Sequence, residues 1–393
     1  MAQHKVAYIY SPDYARIADS LPANQGRSSL VHNLVKSFGL LDPPNVDVLK
    51  PMLAPPEELT RFHDQKFIGK VTDSSSNESE EDSGDDGQGP GDRNSPDPAA
   101  VFSRRLDQYG LQYDCPLFPD LAAYVQLVAG GSLVAALALL NGQYRYAIHW
   151  DGGRHHGRRS QAAGFCYVND IVLAILALRR QFDQVLYIDV DVHHGDGVEA
   201  AFSHSDKVFT LSIHRYAAGF YPGTGACESV GKGRGKYFSL NVPLQDGLGD
   251  DSLERVFRST LAQVTRVFKP NVIVLQCGSD GMAGDPNEEW NLTPRGLGAV
   301  VRLAMETPVP ILFLGGGGYN HPNVARCNTY LTSIITSGSS LPVDVDIPDY
   351  DDLYHFSPTY DLDVAAGNMR DSNSPAYLES IETMVTQRLL HLV

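Results

Sequence analysis

Two carboxylates and an imidazole at alternate positions can hold a divalent cation, and this chain carries such a run. It reads Asp189-Val190-Asp191-Val192-His193-His194-Gly195-Asp196-Gly197. In an extended backbone, side chains two apart share a face, so Asp191 and His193 can turn towards one ion while Asp189 supports them from behind. Hard oxygen with imidazole nitrogen suits Zn²⁺ or Fe²⁺. An isolated Asp-X-His usually does no more than solvate a loop. Here the charges follow the apolar run Val185-Leu186-Tyr187-Ile188. Several charges beside a buried sheet are costly unless they are paired or ligated.

Three further segments carry unusual chemistry. Asp151-Gly152-Gly153-Arg154-His155-His156-Gly157 is a glycine-rich loop with two adjacent imidazoles, which near a metal-activated water could divide the work of base and acid. A surface histidine pair is the plain alternative. In Cys277-Gly278-Ser279-Asp280, Asp280 would complete an Asp-His-Asp set with one position open to water and substrate. Such an Asp is otherwise an ordinary turn residue. Gly315-Gly316-Gly317-Gly318-Tyr319-Asn320 lets backbone approach a ligand closely, and Tyr319 could offer its hydroxyl to a developing oxyanion. A hinge loop with an incidental Tyr is the alternative. A dinucleotide loop is excluded, because no Gly-X-Gly-X-X-Gly opens a helix after a first strand.

Each of the four segments follows a predicted strand. Strands are expected at 6–10, 46–49, 146–150, 185–190, 208–214, 272–276 and 311–314, with helical patterns between most of them, such as 165–182 and 251–268. This alternation predicts an α/β fold: a single domain over 1–393 whose central, mostly parallel sheet is flanked by helices on both faces. In such sheets the chemistry sits beyond the strands' carboxyl ends. Residues 72–103 combine Ser, Gly, Pro and acids with almost no large apolar group, and are expected to form a disordered acidic insertion within that domain.

The net charge of −16 argues against direct nucleic-acid binding, which needs a basic face, and is compatible with a lysine-rich substrate. Residues 73–97 hold nine acids against one base, Arg93, so half of that charge is local. The five cysteines are scattered without a Cys-X-X-Cys, which points to reduced thiols in cytosol or nucleus. Met1-Ala2-Gln3-His4-Lys5 runs straight into the first strand, leaving no room for a signal peptide's apolar core. The longest apolar stretch, 133–140, is too short to span a bilayer, and no membrane role is expected.

Taken in order, these segments resemble class I zinc-dependent histone deacetylases, which carry the arginase–deacetylase fold. The likeness extends to Tyr113-Asp114-Cys115-Pro116, Gly164-Phe165-Cys166-Tyr167, Tyr221-Pro222-Gly223-Thr224-Gly225 and Asn241-Val242-Pro243, over nearly the whole chain. The resemblance implies that Asp191, His193 and Asp280 bind Zn²⁺, with Fe²⁺ as the other candidate. It implies that His156, oriented by Asp196, is the base and then the acid. His155, paired with Asp189, would be its electrostatic partner, and Tyr319 would donate to the oxyanion. Phe165 and Tyr221 match the aromatic walls of an acetyl-lysine channel, and Gly164 its backbone acceptor. Asp114 matches the rim carboxylate, and Gly317 and Asn287 further positions of the substrate site. A K⁺ ion would be held by Asp189, Ser212 and backbone oxygens of Asp191 and His193, and Arg27 would stand beside an internal channel for acetate.

The resemblance further implies hydrolysis of the N6-acetyl-lysine amide in nuclear or cytoplasmic proteins, histones and cohesin among them. Pro286 and Pro322 stand where members that depend on co-repressors and inositol phosphate carry basic residues, so that regulatory site is expected to be absent, as in the branch that acts alone. Arg154 and Asn287 replace apolar residues of the class, Asn287 at the rim, making the channel mouth more polar. Two other functions remain open: an amidohydrolase of acetylpolyamines or other small amides, for which a narrow, strongly acidic mouth is expected, and a catalytically silent acetyl-lysine-binding scaffold, which would normally lack a ligand or the Tyr.

Overall fold

Alternating apolar side chains give each strand two faces to bury. In the computed structural model, which describes residues 4–72 and 106–393, the strands are β1 (Val6–Ile9), β2 (Val46–Leu49), β3 (Tyr146–His149), β4 (Val185–Asp189), β5 (Val208–Arg215), β6 (Ser239–Leu244), β7 (Val272–Gln276) and β8 (Ile311–Leu314). They form one sheet in the order β2-β1-β3-β8-β7-β4-β5-β6. Every pairing is parallel, so the expected, mostly parallel sheet is parallel throughout. The predicted insertion lies outside the described residues, except Thr72, which ends a helix.

The helices among the described residues are α1 (Pro12–Ala18), α2 (Arg27–Ser37), α3 (Pro56–Leu59), α4 (Gln65–Thr72), α5 (Leu121–Leu140), α6 (Asp170–Leu178), α7 (Asp196–Phe202), α8 (Asp250–Phe268), α9 (Pro294–Met305), α10 (His321–Ser337) and α11 (Pro375–Leu389). On β4, Leu186 and Ile188 join a core with α2 and α8 to α11. Val185 and Tyr187 join the opposite core, with α5, α6 and α7. A third cluster packs α1, α3 and α4 against the first turns of α5. Burying one such aliphatic or aromatic side chain contributes about 1.5–3 kcal/mol, so the two-sided sheet dominates the stability of the fold.

Three local expectations change. β6 was not predicted because it contains Pro243. Proline donates no hydrogen bond and is tolerated in a strand at a sheet edge, and β6 is the edge strand beside β5. The helix expected at 165–182 is confined to α6: Phe165 has φ 63°, which helical backbone excludes, and the Asn169 side chain caps the helix by accepting from Val172 N–H at 3.0 Å. The apolar stretch 133–140 is the last part of α5, which by length and composition could cross a membrane, but 61% of that window is buried inside the protein. α5 packs on β1, β3 and β8. The five cysteines are free, four of them buried.

Candidate active site

The four motifs leave the carboxyl ends of β3, β4, β7 and β8, and these strands are contiguous in the sheet, as β3-β8-β7-β4. Segments up to about half a chain apart are thereby gathered along one edge.

Asp191, His193 and Asp280 place one ligand atom each within 4.8 Å of one another. His193 Nδ1 lies 2.9 Å from Asp280 Oδ2 and 3.2 Å from Asp191 Oδ1. The extended backbone expected at 191–193 is absent, because β4 ends at Asp189 and the chain bends. The bend is held by side chains: Asp189 Oδ1 accepts from Asp191 N–H at 3.1 Å, and Asp191 Oδ1 from His193 N–H at 3.0 Å. Gly317 N–H and Gln276 Nε2 donate to Asp191 Oδ2 at 2.8 and 2.9 Å, and Val192 N–H to Asp280 Oδ1 at 3.0 Å. A Cβ at Gly278 would fall 2.1 Å from Asp191 Oδ2, and one at Gly317 2.2 Å from Asp280 Oδ2. Glycine is therefore required at both positions.

Burial, and the neighbouring charge of Asp191, push the Asp280 carboxyl up to about 7. Burial opposes the charge of His193, yet its hydrogen bonds to Asp191 and Asp280 raise it to about 10. Two buried carboxylates that share a single imidazole are short of positive charge. That donor set, two oxygens and one nitrogen, fits a small divalent cation with a further position open.

The histidine pair lies beside this cluster. His155 Nδ1 is 2.8 Å from Asp189 Oδ2, and His156 Nδ1 is 2.7 Å from Asp196 Oδ1. Asp189 also accepts from Tyr187 Oη at 2.5 Å, and Arg158 Nη2 bonds the other oxygen of Asp196. The two rings are 3.9 Å apart. Burial works against charge on both, but Asp189 and Asp191 outweigh it at His155, which is raised to about 9. At His156 burial and the charge of His155 prevail, and it falls to about 3. The surroundings thus drive the two rings in opposite directions, His155 towards the charged form and His156 towards the neutral one.

A cavity is walled by His155, His156, Asp191, His193, Gly317 and Tyr319, with Gly164 and Phe165. The Phe165 and Tyr319 rings meet edge to face at 5.6 Å, and the Tyr221 and His156 rings at 4.9 Å. Burial, Asp280 and Asp191 hold the Tyr319 hydroxyl well above its ordinary value, so it remains a donor. Asp114, Tyr221 and Asn287 are not among the residues walling that cavity. Asp114 Oδ2 accepts from Gly164 N–H at 2.7 Å, which ties it to the mouth. Ser212 lies opposite Asp189 in the β4–β5 register. Arg27 is buried and donates through Nη1 to Gly316 O at 3.1 Å and Gly318 O at 2.9 Å.

Four supporting residues escaped the sequence reading. Asp285 accepts from Tyr319 N–H at 2.7 Å. Asp170 accepts from Gly153 N–H at 3.0 Å and Arg154 N–H at 2.8 Å. Asn169 Nδ2 donates to Gly157 O at 2.8 Å, and Gln276 supports Asp191 as described. Each is a common residue at a turn, helix start or strand end, with no motif of its own.

The same residues can be compared with known proteins. The sequence profile of the histone deacetylase domain matches residues 21–335. The chain is 39% identical over 390 residues to Histone deacetylase 8 of Xenopus tropicalis, covering 98% of each. It is 40% identical over 388 residues to that of Danio rerio, covering 99% of this chain and 96% of the relative. It is 37% identical over 396 residues to Histone deacetylase 1 of Homo sapiens, covering 98% of this chain and 75% of the relative. With an all-parallel arginase–deacetylase-like sheet and a matching domain, the chain belongs to the histone deacetylase family, in its class I, and is a lysine-deacetylating hydrolase.

Proposed function

We propose that this hydrolase is zinc-dependent and removes the acetyl group of N6-acetyl-lysine in proteins by metal-assisted attack of water. The observation that carries the reading is the cluster of Asp191, His193 and Asp280, of which Asp191 and His193 line one cavity with the two Asp-oriented histidines and Tyr319. A divalent cation held by the cluster supplies polarisation of the amide carbonyl and a more acidic attacking water. Fe²⁺ is the other ion this donor set accommodates.

The remaining chemistry belongs to the chain's own groups. His156, with Nδ1–H committed to Asp196, takes the water's proton at Nε2 and delivers it to the leaving amine nitrogen. His155, kept charged by Asp189, offsets the negative charge that develops beside it. Tyr319 donates to the carbonyl oxygen as that oxygen becomes negative. Phe165 and Tyr221 offer the apolar faces that four lysine methylenes need, Gly164 and Gly317 backbone groups, and Asp114 and Asn287 polar groups at the rim. Asp189, Ser212 and the main-chain oxygens of Asp191 and His193 would hold a K⁺ ion, and Arg27 stands by an inner path for acetate.

We assign lysine-acetylated proteins of nucleus or cytoplasm as substrates, histones and cohesin among them. The net charge of −16 supports a protein substrate over direct nucleic-acid contact. The surface pocket bearing Pro286 and Pro322 has no Lys or Arg among its described lining residues, which supports the absence of an inositol-phosphate site.

The test is acetate release from acetyl-lysine peptides by metal-quantified protein, beside His156→Ala and with acetylspermidine as competitor. Peptide turnover that the substitution abolishes is the expected result. Turnover of acetylspermidine alone would move the protein to the small-amide branch. Full metal content without turnover of either would favour a binding scaffold.

A further inference from the structure

The loop that carries His155 and His156 is held by the first residue of α6, Asp170, and by Asn169 before it. Asp170 Oδ2 accepts from Gly153 N–H at 3.0 Å, and its Oδ1 from Arg154 N–H at 2.8 Å. Asn169 Nδ2 donates to His155 O at 3.3 Å and to Gly157 O at 2.8 Å. The main chain is thus pinned on both sides of the histidine pair, whose rings reach on to Asp189 and Asp196. A Cβ at Gly152 would fall 2.6 Å from His149 Nδ1 and 2.7 Å from Asp170 Oδ2, so the loop lies directly against these two side chains.

Asp170 is itself held from behind. Tyr14 of α1, Ser132 of α5, His149 at the end of β3 and Asp170 are all 0% exposed. Ser132 Oγ donates to Asp170 Oδ2 at 2.5 Å and lies 2.9 Å from His149 Nδ1. The other nitrogen of that ring, Nε2, lies 2.9 Å from Tyr14 Oη. Ser132 has a single hydroxyl hydrogen, which goes to Asp170, so its oxygen accepts from His149 Nδ1–H. Burial lowers the His149 pKa to about 4, towards the neutral ring, and in that form Nε2 accepts from the Tyr14 hydroxyl. Every donor in the row then points towards Asp170. Such a row polarises each successive bond, and a polar group left unanswered at this depth is costly, so the row fixes where the carboxylate stands.

We propose that Tyr14, His149, Ser132 and Asp170 are positioning residues for the deacetylation read above, on which this assignment rests. Their hydrogen-bonded row sets the main chain at 153–154, and through it where His155 and His156 stand relative to Asp191 and His193. None of the four lines the cavity, so they act through the loop. Their loss is felt in the placement of the base and of its charged partner, and not in the walls that bind the lysine side chain.

The experiment measures kcat and KM on an acetyl-lysine peptide, with zinc content and melting temperature, for the zinc-loaded full chain and for Ser132→Ala, Tyr14→Phe, Asp170→Asn and the double variant Ser132→Ala/Asp170→Asn. We expect Asp170→Asn to lower kcat by about a hundredfold, as a misplacement near 1 Å would, and Ser132→Ala by about tenfold. KM should change less than about twofold in each, at native zinc content. Because Ser132 works through Asp170, the double variant should be no slower than Asp170→Asn. Losses that multiply in the double variant overturn the proposal. Native kcat in Ser132→Ala and Tyr14→Phe overturns it too, whether or not Asp170→Asn folds. So does a loss of turnover that merely follows loss of zinc or of folded protein, which leaves the row a purely structural role. Histidine ¹⁵N NMR of the native chain reads the row directly: His149, assigned against His149→Gln, is expected as the neutral Nδ1–H tautomer, and a charged ring or the Nε2–H tautomer overturns the proposal. A native chain that turns over no acetyl-lysine peptide removes the deacetylase reading and the proposal with it.

Discussion

The backbone N–H of Tyr319 donates to the buried carboxylate of Asp285 at 2.7 Å. The other oxygen of Asp285 accepts from Asn287 N–H at 3.0 Å. One side chain thus anchors both the glycine-rich loop that carries the Tyr and the turn that follows Asp280. Asp285→Ala should lower kcat by about 10–100-fold through displacement of the Tyr319 hydroxyl, with zinc content unchanged. Steady-state kinetics beside metal analysis checks this, and a variant with native kcat would show that Tyr319 is positioned without Asp285.

Tyr319→Phe removes the hydroxyl and keeps the ring that packs on Phe165 at 5.6 Å. Losing one donor to a developing oxyanion costs about 10²–10³ in kcat. We expect that loss with little change in melting temperature or metal stoichiometry. Near-native turnover would remove Tyr319 from the oxyanion role.

Metal removal should separate activity from fold. Chelation is expected to abolish turnover, and one equivalent of Zn²⁺ to restore it. Zinc should also raise the melting temperature of the stripped protein, because the cation binds the folded state alone. Losing an outer partner of a metal ligand already weakens binding by about 10–100-fold, so Asp280→Asn should weaken zinc by about a hundredfold or more in a competition titration with a chromogenic chelator. Unchanged affinity would exclude Asp280 as a ligand.

His63 offers a stability test at a residue that does not line the cavity. Its Nδ1 faces Arg158 O at 3.0 Å, and its Nε2 accepts from Asn169 N–H at 3.0 Å, a pattern that the neutral ring alone satisfies. Burial lowers its pKa to about 4, against about 6.5 in the unfolded chain. The unfolded state therefore binds the proton more tightly. The contribution is full above pH 6.5 and is lost as pH falls towards 4, about 3 kcal/mol in all. Denaturant unfolding at several pH values should show a steeper acid loss for the native chain than for His63→Gln. Parallel slopes would rule out His63 as the titrating group.

The motifs of the candidate site were legible in the sequence because each is local. Asp191 and His193 are two residues apart, His155 and His156 are adjacent, and Tyr319 ends a glycine run. The core strands were legible for a related reason, since a strand buried on both faces is a short apolar run. Only tertiary structure brought Asp280 to Asp191 and His193, because the chain order of β3, β4, β7 and β8 becomes the sheet order β3-β8-β7-β4, and periodicity carries no information on which strands pair. Edge strand β6 stayed hidden because Pro243 is acceptable only in a place the sheet order defines. Asp285, Asp170 and Asn169 stayed hidden because a carboxylate or amide that orients a loop is told from a solvated turn residue by its burial and partners.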